Sequence, residues 1–537
     1  MVNLIEEEVL RIINNNDAEN VVHVERGKDM DVLAYAELHE SQLEEEWEAI
    51  SWTQIEEHIF DLQTQIFRAV REGDYRKVRN LESLLMKSSS AILYAIKRVT
   101  QFNRGAKTPG IDNMVITTKA QRRALYYKIL GTNINDFDVL PVRRTYIRKS
   151  NGKRRPLGIP TITDRVLQMI VYLALEPRFE AVFESTSYGF RPLRNAGHAI
   201  AKIHAFTRGL KRPWILEGDF KSCFDTLSHD WIIKQLGNFP AKTIIHSWLK
   251  AGYMEDAVFH PSNDGTPQGG IISPLLANIA LDGMEKALGI TYKEVYNKTN
   301  KITSYVNKSP YVMIRYADDF IVLCKTREDA KEALNLLKPY LIERGLELSP
   351  EKTLITHIKD GFDFLGFNIR AYKDNNKKGF KVLTKPSKKS IQNLKKKLKL
   401  IYKLNKSKSI EELIEKSNNV IRGTAHYWRQ SSASETFNKI TYHQWQLTRK
   451  YLKQRHPKKP WKWILQRYFH PDPYRQHKDK YILTDPENHK TQLIKMSWFK
   501  IDYSRQIKYK ATPYDPQFKE YIQKIWHKTP TEVLYNE

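Results

Sequence analysis

The sequence contains almost no cysteine, with only Cys223 and Cys324 in 537 residues. Two thiols cannot form a four-cysteine zinc site, and so few cysteines suit a reducing compartment better than a disulfide-rich secreted class. Long apolar runs are also missing, because no stretch approaches the roughly 20 residues of a membrane-spanning helix. The N-terminus lacks the basic and then apolar order of a secretory signal. We therefore expect a globular protein of two or three domains that does not contact a membrane.

Negative charge is scarce outside the first part of the chain. Residues 1–61 hold 17 acidic and three basic residues, although the whole chain has a formal net charge of +27. The remainder therefore carries a net charge of +41. Such a basic body is typical of nucleic-acid-binding proteins, whose phosphate contacts give salt-sensitive affinity. A solvated basic surface is the alternative interpretation.

Two adjacent carboxylates, Asp318 and Asp319, interrupt an apolar and β-branched stretch. Residues 311–315 and 320–324 predict two strands joined by a tight turn that carries both side chains. Adjacent carboxylates repel each other and become useful when divalent cations neutralise them. An ordinary turn containing Asp is the alternative, because a four-residue string alone is not specific.

A third carboxylate, Asp219, ends another apolar run at residues 214–218, and Phe224 follows five residues later. Two metal ions about 3.5–4 Å apart need anionic oxygens that converge from separate elements. Asp219 together with Asp318 predicts such a site, and Asp319 adds charge beside it.

These residues resemble motifs A and C of reverse transcriptases, in which a Tyr-Ala-Asp-Asp hairpin faces a strand that ends at an Asp. Further segments are similar to motifs of group II intron reverse transcriptases, and they extend the resemblance over about residues 47–530. They are residues 102–112, 149–160, 187–191, 266–274, 345–353, 361–367 and 512–516.

The resemblance implies roles for individual residues at the reaction centre. Asp219, Asp318 and Asp319 would be catalytic and hold two Mg²⁺, with Phe220 in the metal-binding set beside Asp219 and Asp318. Lys352 would be a general acid for the leaving pyrophosphate, and a structural salt-bridge lysine is the alternative.

The residues that the resemblance places at the incoming nucleotide are Lys149, Arg155, Phe220, Phe224, Gln268 and Gly269. Lys149 and Arg155 are expected to contact the triphosphate. Phe224 is expected to lie beneath the sugar and exclude a 2′-hydroxyl, and a core phenylalanine is the alternative. Gly269 lets the backbone approach the base pair closely.

Basic residues interleaved with aromatic ones follow residue 385, a composition suited to phosphate contact and base stacking. The resemblance identifies this region as the thumb or maturase domain. The residues implied to contact nucleic acid are Arg104, Thr108, Arg191, Arg422, Trp428, Arg455 and Trp463. We expect half of the aromatic residues in the thumb to be core instead.

We predict an α+β fold of the right-hand polymerase type, with fingers and palm built on an antiparallel sheet and followed by an α-helical thumb. Apolar spacings of three and four predict helices over about 52–70 and 76–100. The predicted domains are an acidic extension that is poorly ordered or weakly helical (1–46), a helical N-terminal extension with the start of the fingers (47–135), fingers and palm (136–384), thumb or maturase domain (385–471) and a short basic DNA/RNA-binding region (472–537).

The resemblance implies an RNA-directed DNA polymerase that also binds intron RNA to assist splicing and mobility. Its partners would be intron RNA, an RNA template, a DNA primer or target and dNTPs, in the bacterial cytoplasm or in an organelle, and a homodimer is compatible with this. A domesticated relative in phage defence or DNA repair is one alternative. An RNA-binding splicing factor with little polymerase activity is another, and the three carboxylates argue against it. The sequence lacks the paired cysteines of an HNH endonuclease, so we expect no such nuclease.

Overall fold

The computed structural model describes most of the chain, namely residues 27–148, 152, 154–255, 258–262, 264–265, 269–297, 302–374 and 379–535. Helices and antiparallel sheets are both present, in agreement with the predicted α+β class. Among these residues, no helix is both long enough and apolar enough to cross a membrane.

Helices surround several sheets in the described residues. In chain order the helices are α1 (Val32–Leu38), α2 (Glu40–Glu48), α3 (Trp52–Glu72), α4 (Tyr75–Lys87), α5 (Ser89–Lys97), α6 (Lys119–Ile129), α7 (Ile162–Glu180), α8 (Ala196–Thr207), α9 (Cys223–Thr226), α10 (His229–Gln235), α11 (Lys242–Lys250), α12 (Ser273–Ala280), α13 (Met284–Ala287), α14 (Arg327–Ile342), α15 (Lys388–Leu404), α16 (Ile410–Trp428), α17 (Ser434–Arg455), α18 (Trp461–Tyr468), α19 (Lys519–Trp526) and α20 (Pro530–Tyr535). The strands are β1 (Val142–Arg148), β2 (Arg154–Ile159), β3 (Trp214–Gly218), β4 (Tyr253–Glu255), β5 (Val258–His260), β6 (Tyr292–Asn297), β7 (Ile302–Asn307), β8 (Val312–Tyr316), β9 (Asp319–Cys324), β10 (Leu354–His357), β11 (Phe362–Phe364), β12 (Phe367–Lys373), β13 (Phe380–Pro386), β14 (Phe469–His470) and β15 (Ile482–Leu483).

The N-terminal helices pack through apolar faces. Ile55, Ile59 and Ile66 recur at helical spacing along α3 and are buried, which confirms the helix predicted there. The helix predicted over 76–100 is instead two helices. Ser88 adopts an extended conformation between α4 and α5, and its hydroxyl accepts a hydrogen bond from the backbone N–H of Ala91.

The acidic segment is not a poorly ordered extension in its described part. Leu43 and Trp47, four residues apart on α2, are 1% and 4% exposed in the main core. Glu46 accepts hydrogen bonds from Arg123 Nε and from the Tyr127 hydroxyl on α6, both at 2.6 Å. The poorly ordered alternative is therefore wrong for α1 and α2, which are helical as the other alternative had it, while residues 1–26 lie outside the described stretches.

Leu43→Ala is expected to lower the free energy of unfolding by about 2–5 kcal/mol, because it removes a fully buried side chain and leaves a cavity. The matched control is Leu38→Ala on the neighbouring helix, where the side chain is 79% exposed. Chemical denaturation of both variants measures the difference. Equal stability of the two variants would contradict the packing of α2.

The fingers contain a four-stranded sheet in the order β2-β1-β4-β5. Strands β1 and β2 form an antiparallel hairpin that pairs from Arg143 opposite Ile159 to Arg148 opposite Arg154. The chain then enters α7, whose N-terminus is capped by the Thr161 side chain. This sheet therefore places residue 155 near the end of a projecting hairpin.

The palm sheet runs in the order β10-β3-β9-β8, with every pairing antiparallel. Its two faces belong to different cores, because successive side chains of a strand point to opposite sides. Leu216 and Val322 face the core formed with the N-terminal helices and fingers. Ile215 and Leu323 face a second core that includes thumb side chains. The sheet is thus covered on both sides.

The thumb follows a three-stranded sheet, β11-β12-β13, and is helical as predicted. Leu398, Ile421 and Phe437, from α15, α16 and α17, meet in the second core. A smaller third core joins these helices to α18 and β14.

After β15 the chain returns to the N-terminal helices. The Tyr514 ring lies 6.3 Å from the Phe60 ring of α3, and the Tyr535 ring lies 5.1 Å from that of Tyr94 on α5. Much of the region 472–537 is therefore packed against the rest of the protein. Its predicted binding of nucleic acid stays a prediction.

Candidate active site

Two strand ends bring the predicted carboxylates together. The ladder between β3 and β9 ends with Gly218 opposite Phe320, and continuing this register places Asp219 opposite Asp319. Strands β8 and β9 are joined by a two-residue turn closed by Tyr316 and Asp319, with Asp318 in the turn itself. Antiparallel partners are about 4.5–5.5 Å apart at Cα. The sheet therefore places the three residues at one edge.

The turn is held from behind by a glycine and a buried arginine. Ala317 has a left-handed φ of 57°, which is strained for a residue with a Cβ. A Cβ at Gly189 would lie 2.4 Å from the backbone nitrogen of Ala317, so the two backbones are in direct contact. Arg315 is fully buried, and its Nη1 donates to the Ala317 carbonyl at 3.3 Å and to Asn278 Oδ1 at 2.9 Å.

Arg315 and Asn278 were not predicted as site residues. Asn278 Nδ2 also donates to the carbonyl of Gly189 at 2.8 Å, so one side chain links both supports of the turn. The available signal was a charged residue inside the apolar strand β8. A buried charge of this kind requires partners, although its position does not reveal which residues provide them.

Negative charge concentrates where the strands end. Partial burial of the Asp319 carboxylate, and then the charges of Asp318 and Asp219, raise the pKa of Asp319 to about 6, although the residue as a whole is exposed. Lys352 Nζ lies 2.5 Å from Asp219 Oδ2. Since both groups are open to solvent, this pair contributes little stability. This contact agrees with both predicted roles of Lys352, the proton donor and the structural salt-bridge lysine.

The donor groups at this edge fit a hard divalent cation, which prefers carboxylate and carbonyl oxygens. The Lys352 ammonium already places a cation against Asp219. Across the described stretches, no three His, Cys, Asp or Glu side chains are assembled as a metal-binding group. The predicted set of Asp219, Asp318 and Phe220 contains two carboxylates and a residue that has only its backbone carbonyl to offer.

The side chain of Phe220 does not face the nucleotide. Its ring is buried and lies 5.2 Å from the ring of Phe320. The prediction that the Phe220 ring contacts the nucleotide is therefore wrong. Only the backbone of Phe220 remains available for contact with a nucleotide or a metal ion. Phe224 is half-buried on α9, behind Ser222 with its left-handed φ of 56°.

Gly269 brings its loop against the fingers. It has a φ of 131°, and a Cβ there would lie 2.3 Å from the carbonyl oxygen of Gly158 on β2. Any larger residue would force residue 269 and β2, which also carries the exposed Arg155, apart. Lys149 and Gln268 lie outside the described residues.

Two predicted nucleic-acid contacts are wrong because their side chains are buried. Arg191 is 6% exposed and makes a bidentate ion pair with Glu180, through Nε at 2.5 Å and Nη2 at 2.9 Å. Trp428 is 3% exposed in the second core, one helical turn from Ala425. Neither side chain reaches the surface.

The other predicted nucleic-acid residues remain accessible. Arg104, Arg422 and Arg455 are exposed, while Thr108 and Trp463 are half-buried. Arg455 Nη1 also donates to the carbonyl of Lys408 at 2.6 Å. Their contacts with RNA or DNA stay predictions.

Comparison with known proteins identifies three consecutive regions. Residues 47–129 match the N-terminal domain of reverse transcriptase, residues 147–369 match reverse transcriptase (RNA-dependent DNA polymerase), and residues 391–469 match the group II intron, maturase-specific domain.

Two curated proteins are similar over about half of this chain. Protein YkfC of Escherichia coli (strain K12) is 37% identical over 300 residues, which cover 51% of this chain and 78% of YkfC. Group II intron-encoded protein LtrA of Lactococcus lactis subsp. cremoris is 35% identical over 335 residues, which cover 52% of this chain and 55% of LtrA. A telomerase structure from Candida albicans aligns over 61% of this chain and 60% of its own at 13% identity, and its TM-score of 0.34 is too low to support any inference.

Proposed function

Because this chain belongs to the group II intron reverse transcriptases that carry a maturase-specific domain, we propose that it synthesises DNA on an RNA template. The observation that carries the proposal is the convergence of Asp219, Asp318 and Asp319 at one edge of the palm sheet. An RNA-binding splicing factor without polymerase activity has no need of this arrangement.

We propose Mg²⁺, as two ions, for the divalent metal that reverse transcriptases generally use. Asp219, Asp318 and the backbone carbonyl of Phe220 would hold it. When bound, the metal supplies positive charge that lowers the pKa of the primer 3′-hydroxyl and stabilises the leaving pyrophosphate. Lys352 Nζ lies 2.5 Å from Asp219 Oδ2, and this position makes it the candidate proton donor to that pyrophosphate.

The remaining residues orient the substrates. Arg155, on the projecting fingers hairpin, would contact the triphosphate of a dNTP through charge-assisted hydrogen bonds. Gly269 lets its loop approach the fingers and the nascent base pair. Holding the reacting groups at fixed separation removes much of the entropic barrier of the reaction.

The second part of the proposal is that the thumb binds intron RNA to assist splicing and mobility. Lysines on the exposed face of α15, including Lys396 and Lys399, together with Arg422 on α16, provide positive charge suited to phosphates. Affinity should then fall steeply as salt rises, because binding releases counterions from the RNA.

The experiment for the proposed function is primer extension with the full chain, an RNA template, a DNA primer, dNTPs and Mg²⁺. Template-directed extension that a chelator abolishes supports the proposal. Tight binding of intron RNA and faster splicing without any extension would instead identify a splicing factor. A role in phage defence or DNA repair predicts extension without stimulation of splicing.

Phe224→Ala is expected to admit ribonucleotides, because the sugar would lose the ring that excludes its 2′-hydroxyl. We expect the ratio of rNTP to dNTP incorporation to rise by about tenfold or more, the factor that corresponds to about 1.4 kcal/mol of discrimination. Phe380→Ala, at a 40% exposed position on β13, is the control. An unchanged ratio in a folded Phe224→Ala protein would mean that Phe224 is a core residue without a role in sugar selection.

A further inference from the structure

The chain from residue 502 to residue 516, here called the return segment, connects the thumb to the palm. At its thumb end, the backbone N–H of Asp502 donates to the carbonyl of Arg429 at 2.8 Å. The hydroxyl of Ser504 donates to Gln430 Oε1 at 2.9 Å. The maturase-specific match ends at residue 469, so the family descriptions do not cover this segment.

The middle of the return segment contacts Ser185 of the palm. The backbone N–H of Lys510 donates to Ser185 Oγ at 3.1 Å. The Tyr509 ring lies 4.8 Å from Tyr292 and 4.4 Å from Tyr305, at the base of the β6-β7 hairpin. Ser185 is therefore held by the backbone of the segment, at the residue that follows the packed Tyr509 ring.

The far end of the return segment enters a buried polar cluster. The Tyr514 hydroxyl donates to Glu176 Oε2 on α7, with both groups buried. Arg194 Nη1 donates to the carbonyl of Ala511 at 3.0 Å and lies 3.7 Å from Glu180 Oε2. The return segment is therefore bound to Glu176 directly and to Glu180 through Arg194. Both glutamates lie near the C-terminal end of α7, and the neighbouring loop is attached there too.

That loop, residues 184–191 and here called the support loop, runs from the cluster to the catalytic turn. Arg191, paired with Glu180, donates through Nη1 to the carbonyls of Glu184 at 2.6 Å and Ser187 at 3.0 Å. The loop then pairs with strand β8, since the N–H of Arg315 donates to the Thr186 carbonyl and the N–H of Tyr188 donates to the Arg315 carbonyl. Gly189 finally touches Ala317 in the turn.

We propose that the return segment positions the catalytic turn by holding the support loop against β8. Ser185, Tyr509 and Tyr514 are then positioning residues for the proposed polymerase reaction, on which this inference rests. Ser185 is one residue from Thr186, whose carbonyl binds Arg315, and Arg315 is two residues from Ala317. Because the thumb holds the other end of the segment, a displaced thumb would loosen the turn.

The experiment compares three substitutions in the full-length protein. Tyr514→Phe removes the hydroxyl on Glu176 while keeping the ring between Phe60 and Phe67. Ser185→Ala removes the contact of the segment with the support loop. Tyr503→Phe is the matched control, because it makes the same chemical change in the return segment at a 61% exposed residue whose hydroxyl contacts Ser432.

We expect kcat of primer extension to fall about tenfold in Tyr514→Phe and Ser185→Ala, since small displacements of reacting groups are costly, with KM for dNTP changed by less than about twofold. Hydrogen–deuterium exchange of the peptide covering residues 312–324 should become at least about threefold faster in both variants. Tyr503→Phe should match the wild type in both measurements.

Normal kcat and normal exchange at residues 312–324 in both variants would overturn the inference. So would lower thermal stability, or lower kcat, without faster exchange in that peptide. If Tyr514→Phe does not fold, Ser185→Ala decides alone. A wild-type protein that does not extend primers, in which the variants still show faster exchange, would reject the proposed function while retaining the mechanical support of the turn.

Discussion

Replacing both Asp318 and Asp319 with asparagine is expected to reduce primer extension by at least about 10⁴-fold while leaving RNA affinity within about twofold of the wild type. Asparagine keeps the size and one oxygen of each side chain but removes both negative charges, which are what a divalent cation binds. Loss of the metal removes charge stabilisation worth several kcal/mol at both the attacking and the leaving oxygen. RNA affinity should persist because it depends on basic residues elsewhere.

Asp225→Asn is the matched control for this prediction. Asp225 lies six residues after Asp219 on α9 and is exposed, so it tests whether loss of any nearby carboxylate slows the reaction. Single-turnover extension and filter binding to RNA give the two readouts. Substantial extension by the Asp318/Asp319 double variant would refute the catalytic assignment, and equal loss in Asp225→Asn would show that the effect is not specific.

Gly189→Ala is expected to lower kcat by about 100-fold or more, although residue 189 is remote in sequence from the carboxylates. Its new Cβ would lie 2.4 Å from the backbone nitrogen of Ala317. The support loop cannot retreat easily, because Tyr188 and Gly189 are held by hydrogen bonds to Arg315 and Asn278. The turn must therefore move, and a displacement of about 1 Å costs on the order of 10² in rate.

Gly423→Ala is the control for the glycine effect. Gly423 lies within α16, and a Cβ there would meet no atom within 4 Å. This substitution should stabilise the helix by about 0.5–1 kcal/mol and leave catalysis unchanged. Circular dichroism shows whether Gly189→Ala is folded. A folded Gly189→Ala variant with wild-type kcat would mean that the turn tolerates the displacement.

The sequence was sufficient to predict the hairpin that carries Asp318 and Asp319 and the strand that ends at Asp219. Alternation, turn residues and carboxylate spacing are local signals, and the observed strands agree with them. The sequence did not reveal what supports the turn. Arg315 Nη1 donates to Asn278 Oδ1 and to the carbonyl of Ala317, and the first of these contacts depends on how distant elements pack.

The two incorrect nucleic-acid predictions have different causes. Trp428 continues the buried stripe of Ile421 and Ala425, so helical spacing already favoured a core position over RNA contact. Arg191 has no such local signal, because its partner Glu180 lies eleven residues earlier on α7 and only the folded loop brings them together. Burial of a charge pair is a tertiary property.

The composition of the acidic N-terminal segment did not reveal that part of it packs against the core. Its many glutamates favoured a solvated extension, and they do face solvent at several positions of α2. Leu43 and Trp47 nevertheless form a short apolar stripe on the same helix. Two buried side chains at a spacing of four, together with the contacts of Glu46 with Arg123 and Tyr127, attach this helix to the rest of the protein.

The placement of the palm sheet between two cores has a consequence for how the molecule denatures. Adjacent side chains of β3, Ile215 and Leu216, belong to opposite cores. Unfolding of either core would therefore expose one face of the palm strands to water. The other core packs on the opposite face of the same strands, so it would lose its support as well. Parts of a protein that share buried surface tend to unfold together, whatever their separate functions are. Fingers, palm and thumb, which act as separate parts of a hand, are thus expected to melt in a single transition.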